Sequence, residues 1–243
     1  MQQQTKAPLG FRPLYKQVKE RMTEGLISGH WKPGALLPSE FQLAEELGVS
    51  QGTVRKALDE MTAEKLLVRR QGRGTFVAEH DQEHTLFHFF KLTRDDGLRV
   101  VPKSRLLGRS AGRAKRREAE RLALAKEAQV IRLTRLRELD GRPAVYERLV
   151  VPAALFPDLA SRKTLPNTLY SLFAHGYGIT VQRADERLRA VAAGPEAAKH
   201  LGVSAGAPLL EIDRIARALD GQAIEWRLSQ CDTRDFHYGI SLA

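Results

Sequence analysis

The sequence predicts an α+β protein in two parts, with helices first and an antiparallel sheet after them. Three observations lead to this prediction. Apolar residues recur at helical spacing in the first third, two-residue alternation dominates from about residue 85, and Asp140-Gly141 and Asp220-Gly221 are typical hairpin turns. A chain of 243 residues can bury the cores of two domains. We expect one domain over residues 1–78, a polar linker over 79–87 and a second domain over 88–243.

Two helices are predicted at the start of the chain. An apolar residue at every fourth position from Leu14 to Leu26 indicates an amphipathic helix over residues 14–28. Ser39 and Gln42 have the spacing of a capping box, so a second helix should begin there and end at Gly48. Its buried residues should be Leu43, Ala44 and Leu47.

A third helix should begin after Ser50, a favourable N-cap residue. Its apolar stripe consists of Val54, Ala57, Leu58 and Met61. The polar residues of its first turns must then face away from the core: Gln51, Gly52, Thr53, Arg55 and Lys56. Short side chains permit close approach to DNA, glutamine can read adenine edges, and arginine can reach guanine or phosphate.

A basic, glycine-rich ribbon follows, with strands at Leu66–Arg70 and Thr75–Ala78 around a tip at residues 71–74. Two helices followed by a ribbon form the plan of a winged helix-turn-helix, which places one helix in the DNA major groove. We therefore expect these residues to contact double-stranded DNA: Ser39, Ser50, Gln51, Gly52, Thr53, Arg55, Lys56, Arg69, Arg70, Gln71, Gly72 and Arg73.

The net charge of +10 favours polyanionic partners, but its distribution does not point to the helical domain. Residues 1–80 carry 12 Lys/Arg against 9 Asp/Glu, whereas residues 81–243 carry 27 against 20. Eight basic residues and no acidic residue lie between Arg99 and Arg117. We interpret that stretch as a solvated basic face.

Several classes of protein are excluded by composition. No apolar run approaches the roughly 18 residues of a membrane span, and the start lacks the apolar core of a signal peptide, so we expect a cytoplasmic protein with no membrane partner. The single Cys231 excludes an internal disulfide. His80, His84 and His88 recur every four residues, but they fall where linker becomes strand, so we predict no metal site and no cofactor.

Beyond residue 84 the alternation predicts an antiparallel sheet with helices near residues 113–125, 167–175 and 195–202. The predicted strands are TLFHFFKL, VVPKSRLL, QVIRLTRLREL, PAVYERLVV, TVQRADERLRAVA, PLLEIDRIARAL, QAIEWRLSQ and FHYGISL.

The hairpin around Asp140 places charge on an apolar face. Arg135 and Arg137 alternate in phase with Ile131 and Leu133, so two arginines should point inward. A three-residue loop with a glycine bulge would pair Arg135 with Glu147 and align the apolar faces, whereas a two-residue loop would not. We predict the register that pairs Arg135 with Glu147.

Two arginines beside one glutamate on a buried face allow two interpretations. Burying charge costs several kcal/mol per ion unless it is well paired, and one glutamate cannot neutralise two arginines. The site could therefore bind a small anion through a phosphate or carboxylate. It could equally be a structural salt bridge, with one arginine reaching water.

Residues 12–78 resemble the DNA-binding domain of the GntR family of bacterial transcription regulators. The similar segments are PLYKQVKERMTEGLISGHWKPGALLPSE, GVSQGTVRKALDEM and LLVRRQGRGTFV. The resemblance implies a homodimer that binds a short palindromic operator. Phe41 and Gln51 stand where the family often has DNA-contacting arginines, so Arg55, Thr53 and the ribbon should carry more of the recognition.

Residues 88–243 resemble the UTRA effector-binding domain of the HutC branch of the same family. The resemblance lies in IRLTRLRELDGRPAVYERLVVPAALFPDL, LGVSAGAPLLEIDRIARALDGQAIEW and RDFHYGISLA. It implies a chorismate-lyase-like fold, an antiparallel sheet with flanking helices. It also implies a small anionic effector that is bound by Arg135, Arg137, Glu147, Thr168, Tyr170 and Glu225. Cys231 replaces a common Tyr, and HTLFHFFKLTRDDGLRVVPKSRLL lacks the glycine-rich start frequent in sugar-phosphate sensors.

The function favoured by the sequence is that of a repressor whose operator affinity is controlled by an anionic metabolite. A ligand-independent dimeric regulator is the first alternative. The second is a lyase-like enzyme fused to a DNA-binding domain, but no nucleophile–base pair with defined spacing supports catalysis.

Overall fold

The computed structural model describes residues 12–78, 89–98 and 100–240. The chain divides between residues 79 and 80 into two compact units, which are described separately. The predicted linker at 79–87 lies outside the described residues, as do His80, His84 and His88.

Over residues 12–78 the first unit contains three helices and a two-stranded antiparallel ribbon. The helices are α1 (Leu14–Ile27), α2 (Glu40–Leu47) and α3 (Gln51–Ala63), and the strands are β1 (Leu67–Arg70) and β2 (Gly74–Val77). These limits agree with the predicted elements to within two residues. The ribbon is hereafter called the wing.

The predicted helix caps explain why α2 and α3 begin where they do. Ser39 and Gln42 form both bonds of the capping box, and Gly48 ends α2 in the left-handed conformation at φ 64°. The Ser50 hydroxyl accepts a hydrogen bond from the Thr53 backbone N–H at 3.2 Å. The direction in which α3 leaves the turn is therefore fixed by side chains that the sequence identifies.

The core of the first unit lies along α3. All four residues of its predicted stripe are almost inaccessible, and Val18 and Met22 of α1 are also buried. Leu14 is 53% exposed; it is the first residue of α1, so the buried stripe of that helix is shorter than the row of apolar residues. Leu47 is only half-buried.

The second unit is built on a six-stranded antiparallel sheet with the strand order β4-β5-β6-β9-β8-β7. Its strands are β4 (Lys103–Arg113), β5 (Gln129–Leu139), β6 (Arg142–Pro152), β7 (Val181–Ala192), β8 (Pro208–Ala218) and β9 (Ala223–Cys231). A separate ribbon joins β3 (Leu92–Arg94) to β10 (Phe236–Tyr238). The helices are α4 (Arg116–Leu122), α5 (Leu169–Tyr177) and α6 (Pro195–Leu201), with a 3-10 turn at Ala153–Leu155.

The predicted strand VVPKSRLL is shifted, since β4 runs over Lys103–Arg113, and of the described part of FHYGISL only Phe236–Tyr238 is a strand. The predicted strand TLFHFFKL differs more. Of TLFHFFKL, residues 85–88 lie outside the described residues, and residues 89–91 are not in a strand. Phe89 and Phe90 instead pack over the sheet, where Phe90 joins the cluster beneath the β3–β10 ribbon. Their apolar side chains are buried by packing on a face of the sheet, and alternation alone cannot distinguish this from strand pairing.

Both faces of the sheet are covered. On one face, α5 packs over a cluster that includes Ile131, Leu133 and Phe173, and the β3–β10 ribbon covers a second cluster farther along. On the other face, α4 and α6 each cover a cluster of their own. The charged residues described below lie on the first face, between its two apolar clusters.

The β5–β6 hairpin has the predicted register but not the predicted loop. Arg135 pairs with Glu147, which confirms the register. The turn contains only Asp140 and Gly141, with φ values of 51° and 74°, so the three-residue loop was wrong. The extra residue is Ala144, which forms a bulge beside Pro143. Because proline has no N–H to donate to the ladder, an irregularity next to it is expected.

Candidate functional site

The first candidate site is the exposed surface formed by the start of α3 and the wing, hereafter called the helix–wing surface. Gln51, Gly52, Arg55 and Lys56 are exposed, as the sequence predicts, whereas Thr53 is half-buried. The hydroxyl oxygens of Thr53 and Ser50 lie 2.9 Å apart. Ser39 and Ser50 thus serve as helix caps, Thr53 binds the cap of α3, and the side chains that reach outward are the longer ones.

A single carboxylate links the two arginines of this surface that the sequence favours as DNA contacts. Arg55 Nε on α3 lies 2.8 Å from Glu40 Oε2, and Arg69 Nη1 on β1 lies 3.1 Å from Glu40 Oε1. Arg69 Nη2 also donates to Asp59 Oδ1 at 2.7 Å. No sequence pattern indicates this network, because Glu40 lies at the start of a different helix.

Two further cations of the surface rest on aromatic rings. Lys56 Nζ lies 4.1 Å from the centre of the Tyr15 ring, and the Arg70 guanidinium lies 4.6 Å from that of Phe76. Arg73 lies in the exposed tip of the wing, where its N–H donates to Arg70 O at 2.9 Å across Gly72 at φ 68°. Exposed cations on a helix and an adjacent ribbon can contact both a base edge and the DNA backbone.

The second candidate site is a buried layer of charged side chains on one face of the sheet, hereafter called the charged layer. It holds four guanidinium groups and three carboxylates, and all but Glu186 are almost completely buried. Its members are Arg135, Arg137, Arg214, Arg227, Glu147, Glu186 and Glu225. Their formal charges leave an excess of one positive charge.

Glu147 lies at the centre of the layer and faces three arginines. Its Oε2 is 2.8 Å from Arg135 Nη2, and its Oε1 is 3.3 Å from Arg227 Nη1 and 3.4 Å from Arg137 Nη1. Burial alone would raise the pKa of Glu147, but the charges of the three guanidiniums outweigh it and hold that pKa well below its usual range. Glu147 is therefore ionised at neutral pH.

Glu225 is a second carboxylate of the layer, and it binds Arg227 and Tyr170. It accepts two hydrogen bonds from Arg227, at 3.0 Å to Nε and 2.8 Å to Nη2, and a third from the Tyr170 hydroxyl at 2.9 Å. Burial, together with the neighbouring Glu225 charge, raises the pKa of Tyr170 to about 12. Burial would lower the pKa of Arg227, but the surrounding anionic groups reverse this and raise it. Arg214 is paired with Glu186 and donates to the carbonyl of Phe89.

Arg137 is the member of the layer that lacks adequate compensation. Among the described residues its Nε and Nη2 have no hydrogen-bond partner, although its side chain is only 4% exposed. Burial lowers the pKa of Arg137 to about 10, Glu147 offsets part of this, and the charges of Arg135 and Arg227 add to it. The Phe90 ring lies 4.5 Å from its guanidinium. A buried donor without a partner costs free energy, so this edge is suited to an added acceptor.

Arg137 also lines a partly open cleft that encloses about 20 Å³, room for about one water molecule. The wall is formed by Phe89, Phe90, Arg135, Arg137, Asn167, Thr168, Leu169, Tyr170, Arg214 and Arg227. The N-terminus of α5 is part of this wall, and its N-cap residue Thr168 makes no side-chain cap bond. Helix N-termini attract anions through their first N–H groups and the helix dipole. We call this space the arginine cavity.

The effector residues predicted from the sequence only partly coincide with the cavity wall. Arg135, Arg137, Thr168 and Tyr170 line the cavity, whereas Glu147 and Glu225 lie behind it and hold the arginines. Arg214 and Arg227 were missed. Arg214 alternates in phase with Ile212 and Ala216, both buried, so the reasoning that found Arg135 could have found it as well. No comparable sequence pattern identifies Asn167, Phe89 or Phe90 as cavity residues.

Metal binding and membrane insertion find no support in the described ranges. Within them no cluster of three or more His, Cys, Asp or Glu side chains could hold a metal ion. In the same ranges no helix is long and apolar enough to cross a membrane. Cys231 is buried, and burial raises the pKa of its thiol, which makes it unreactive.

Comparison with known protein families defines the class. Residues 14–77 match the bacterial regulatory proteins of the gntR family, and residues 97–237 match the UTRA domain. A winged helix-turn-helix joined to a UTRA domain is the arrangement of a DNA-binding transcription regulator. The chain belongs to the GntR family, in the UTRA-bearing HutC branch, and it is a transcriptional repressor of that type.

Named relatives support this assignment. The chain is 32% identical to the HTH-type transcriptional repressor NagR of Bacillus subtilis, with 88% of each chain covered. It is 31% identical to the histidine utilization repressor of Pseudomonas putida, with 84% of this chain and 82% of that protein covered. It is 29% identical to the mannosyl-D-glycerate transport/metabolism system repressor MngR of Escherichia coli, with 96% and 97% covered.

Solved structures show the same fold. The ligand-binding domain of a protein assigned to the GntR family from Bordetella bronchiseptica is 34% identical, with a TM-score of 0.58 over 64% of this chain and 98% of that one. PhnF from Mycobacterium smegmatis is similar in fold, with a TM-score of 0.56, 23% identity, and 95% and 99% covered.

Proposed function

We propose that this repressor acts in the cytoplasm as a homodimer on a short palindromic operator, and that a small anion bound in the arginine cavity controls its operator affinity. Family membership supports the dimer, because helix-turn-helix dimers bind half-sites about one helical turn apart. The anion would carry a phosphate or a carboxylate group. The chain itself is proposed to catalyse no reaction, since its named relatives are transcription regulators.

The observation that carries the proposal is that Arg137 lines the arginine cavity while its Nε and Nη2 have no hydrogen-bond partner among the described residues. The Nε and Nη2 groups of a guanidinium lie on one side and match two oxygens of a carboxylate or phosphate. The same cavity contains the N-terminus of α5, a second feature that favours an anion. One bound negative charge would neutralise the excess charge of the layer.

The proposed roles divide the site into two sets. Arg135, Arg137, Thr168 and Tyr170 contact the effector, and Arg214 and Arg227 complete the positive wall. Glu147 and Glu225 hold the arginine side chains in place rather than contact the ligand, because both lie behind the cavity wall. Binding that favours one of two states of the repressor would change operator affinity by the coupling free energy, typically about 1–3 kcal/mol.

On the helix–wing surface, Arg55 is proposed to read base edges and Arg69 to contact the DNA backbone. Arg55→Ala should then weaken binding to the operator more than to random DNA. Arg69→Ala should weaken binding to both and lower the salt dependence by about one charge. Equal effects of the two substitutions on both DNAs would contradict this division.

The effector site is tested with DNA selected from a random duplex pool by the wild-type protein. Inorganic phosphate, sugar phosphates and small carboxylates are titrated by calorimetry, and each binder is then tested against the protein–operator complex. Arg137→Met should abolish the response. Arg132→Met is the matched control, because Arg132 lies on the same strand but pairs with Glu118 away from the cavity. An unchanged response in Arg137→Met would overturn the assigned site.

The alternatives give different results. A ligand-independent regulator would select an operator but bind no anion in the calorimetric panel. An enzyme would convert one of the anions, which product analysis after incubation with the full chain would detect.

A further inference from the structure

Glu40 has an unusual position for an acidic residue, because it lies within a surface that must approach DNA phosphates. It is the first residue of α2, and its side chain is only 16% exposed. An acidic residue in the first turn interacts favourably with the helix dipole, but any position of that turn would serve this purpose. Its place beside the two arginines calls for a further explanation.

The carboxylate of Glu40 uses both of its oxygens on arginines from two different elements. Oε2 accepts from Arg55 on the recognition helix α3 at 2.8 Å, and Oε1 accepts from Arg69 on the wing at 3.1 Å. A DNA phosphate would offer these guanidiniums the same pair of oxygens. Glu40 therefore occupies the arginines as a phosphate would.

The pairing leaves part of each arginine accessible. The side chain of Arg55 is 58% exposed and that of Arg69 is 40% exposed. Arg55 donates to Glu40 through Nε, so its terminal Nη groups can still point outward. Bidentate contacts to a guanine base edge need two N–H groups in a fixed direction, and a held guanidinium loses less conformational entropy when it makes them.

We infer that Glu40 is a specificity-determining residue, which limits the binding of Arg55 and Arg69 to random phosphates and presents the remaining N–H groups of Arg55 to the correct base sequence. This inference rests on the proposed DNA contacts of the two arginines. Random DNA must compete with the carboxylate for the guanidiniums, whereas the operator engages them with the ion pairs intact. The low net charge of residues 1–80, with 12 basic against 9 acidic residues, agrees with weak binding to random sequences.

The decisive variant is Glu40→Gln, which keeps the shape and one acceptor but removes the charge. Asp59→Asn is the matched control, because it makes the same charge change on an exposed residue that pairs with Arg69 alone. Affinities for the selected operator and for a random duplex of equal length are measured at several salt concentrations. Thermal unfolding followed by Trp31 fluorescence, with Trp226 replaced by Phe, verifies that the first unit remains folded.

Glu40→Gln should tighten binding to the random duplex by about threefold to tenfold and increase its salt slope by roughly one, because a released arginine can neutralise another phosphate. Operator affinity should stay the same or fall, so the ratio of operator to random affinity decreases. Asp59→Asn should change both affinities by the same small factor.

Two results would overturn the inference. If Glu40→Gln and Asp59→Asn tighten binding to both DNAs by the same factor, only the net charge matters. If Glu40→Gln weakens binding to both DNAs by the same factor, Glu40 has only a structural role. Failure to select any operator with the wild-type protein would instead refute the proposed function, and that experiment is independent of Glu40.

Discussion

The two candidate sites use the same arrangement in opposite environments. On the helix–wing surface, Glu40 is shared by Arg55 and Arg69, whose side chains are 58% and 40% exposed. In the charged layer, Glu147 is shared by Arg135, Arg137 and Arg227, and none of the four side chains exceeds 6% exposure. The chemistry is the same, and burial is the difference.

Burial decides what each arrangement can do. Exposed ion pairs contribute about 0–1 kcal/mol, because water and salt screen them, so the fold does not depend on them. Buried charges cost several kcal/mol each when their partner is removed, so the layer must stay paired or recruit an anion. The exposed cluster can present its free N–H groups to a large polyanion, and the buried cluster is suited to recognition of one small anion.

Removing the central carboxylate tests this contrast most strongly. Glu147→Gln should destabilise the second unit by about 3–5 kcal/mol, because three buried guanidiniums lose their shared counter-charge. Urea unfolding is followed through Trp226, which lies in the second unit, with Trp31 replaced by Phe. Glu40→Gln, followed through Trp31, should change the unfolding free energy of the first unit by less than about 1 kcal/mol. Comparable losses at the two sites would show that burial is not the deciding factor.

Acid should weaken the contribution of Glu147 to the stability of the second unit. The pKa of Glu147 is lower in the folded protein than in the unfolded chain, where it is about 4.3. Its contribution to stability is therefore complete above about pH 4.3 and is lost as the pH falls through the folded pKa. The difference in unfolding free energy between wild type and Glu147→Gln should be constant from about pH 7 to 5 and should shrink below about pH 4. A difference independent of pH down to the acid transition would contradict the assigned charge state.

Removing Arg137 should raise the stability of the second unit, whereas removing the charge of Glu147 should lower it. Arg137→Met replaces a buried, partly unpaired guanidinium with an apolar side chain, so the effector-free protein should gain about 1 kcal/mol of stability. Urea unfolding and calorimetry together check that stability rises while anion binding is lost. A loss of stability above about 2 kcal/mol would mean that Arg137 is a structural partner of Glu147 rather than a ligand-binding group.

The smallest effects are expected for the exposed arginines. Arg55→Ala and Arg69→Ala should each change the unfolding free energy of the first unit by about 0.5 kcal/mol or less, because their pairs with Glu40 are screened by solvent. Unfolding through Trp31 measures this, and DNA binding is assayed in parallel. A large loss of stability would assign these residues to the fold and weaken their proposed role on DNA.

The first unit was predictable because its signals are local. Ser39, Ser50 and Gly48 specify where helices begin and end, and the stripe of α3 is fully buried as its spacing requires. The bridge from Glu40 to two other elements could not be predicted, since it depends on the packing of α2 against α3 and the wing. The spacing of apolar residues describes a single helix and does not specify contacts between different elements.

Only part of the charged layer could be predicted from the sequence. Alternation within one hairpin is enough to bring Arg135, Arg137 and Glu147 to the same face. Arg227 joins them through the pairing of β6 with β9, where Leu149 lies opposite Arg227. That pairing joins strands that are far apart in the chain, and no local pattern specifies it. Phe90 reaches Arg137 from a segment that alternation assigned to a strand.

The bulge at Ala144 has a consequence that reaches beyond the hairpin. Were this surplus residue absorbed into the ladder instead, Glu147 would turn to the opposite side of the sheet and leave three guanidiniums without their shared partner. Ala144, a small residue outside the charged layer, thus fixes the side of the sheet on which Glu147 lies. A change of a single position in chain length at this hairpin would therefore take the layer apart.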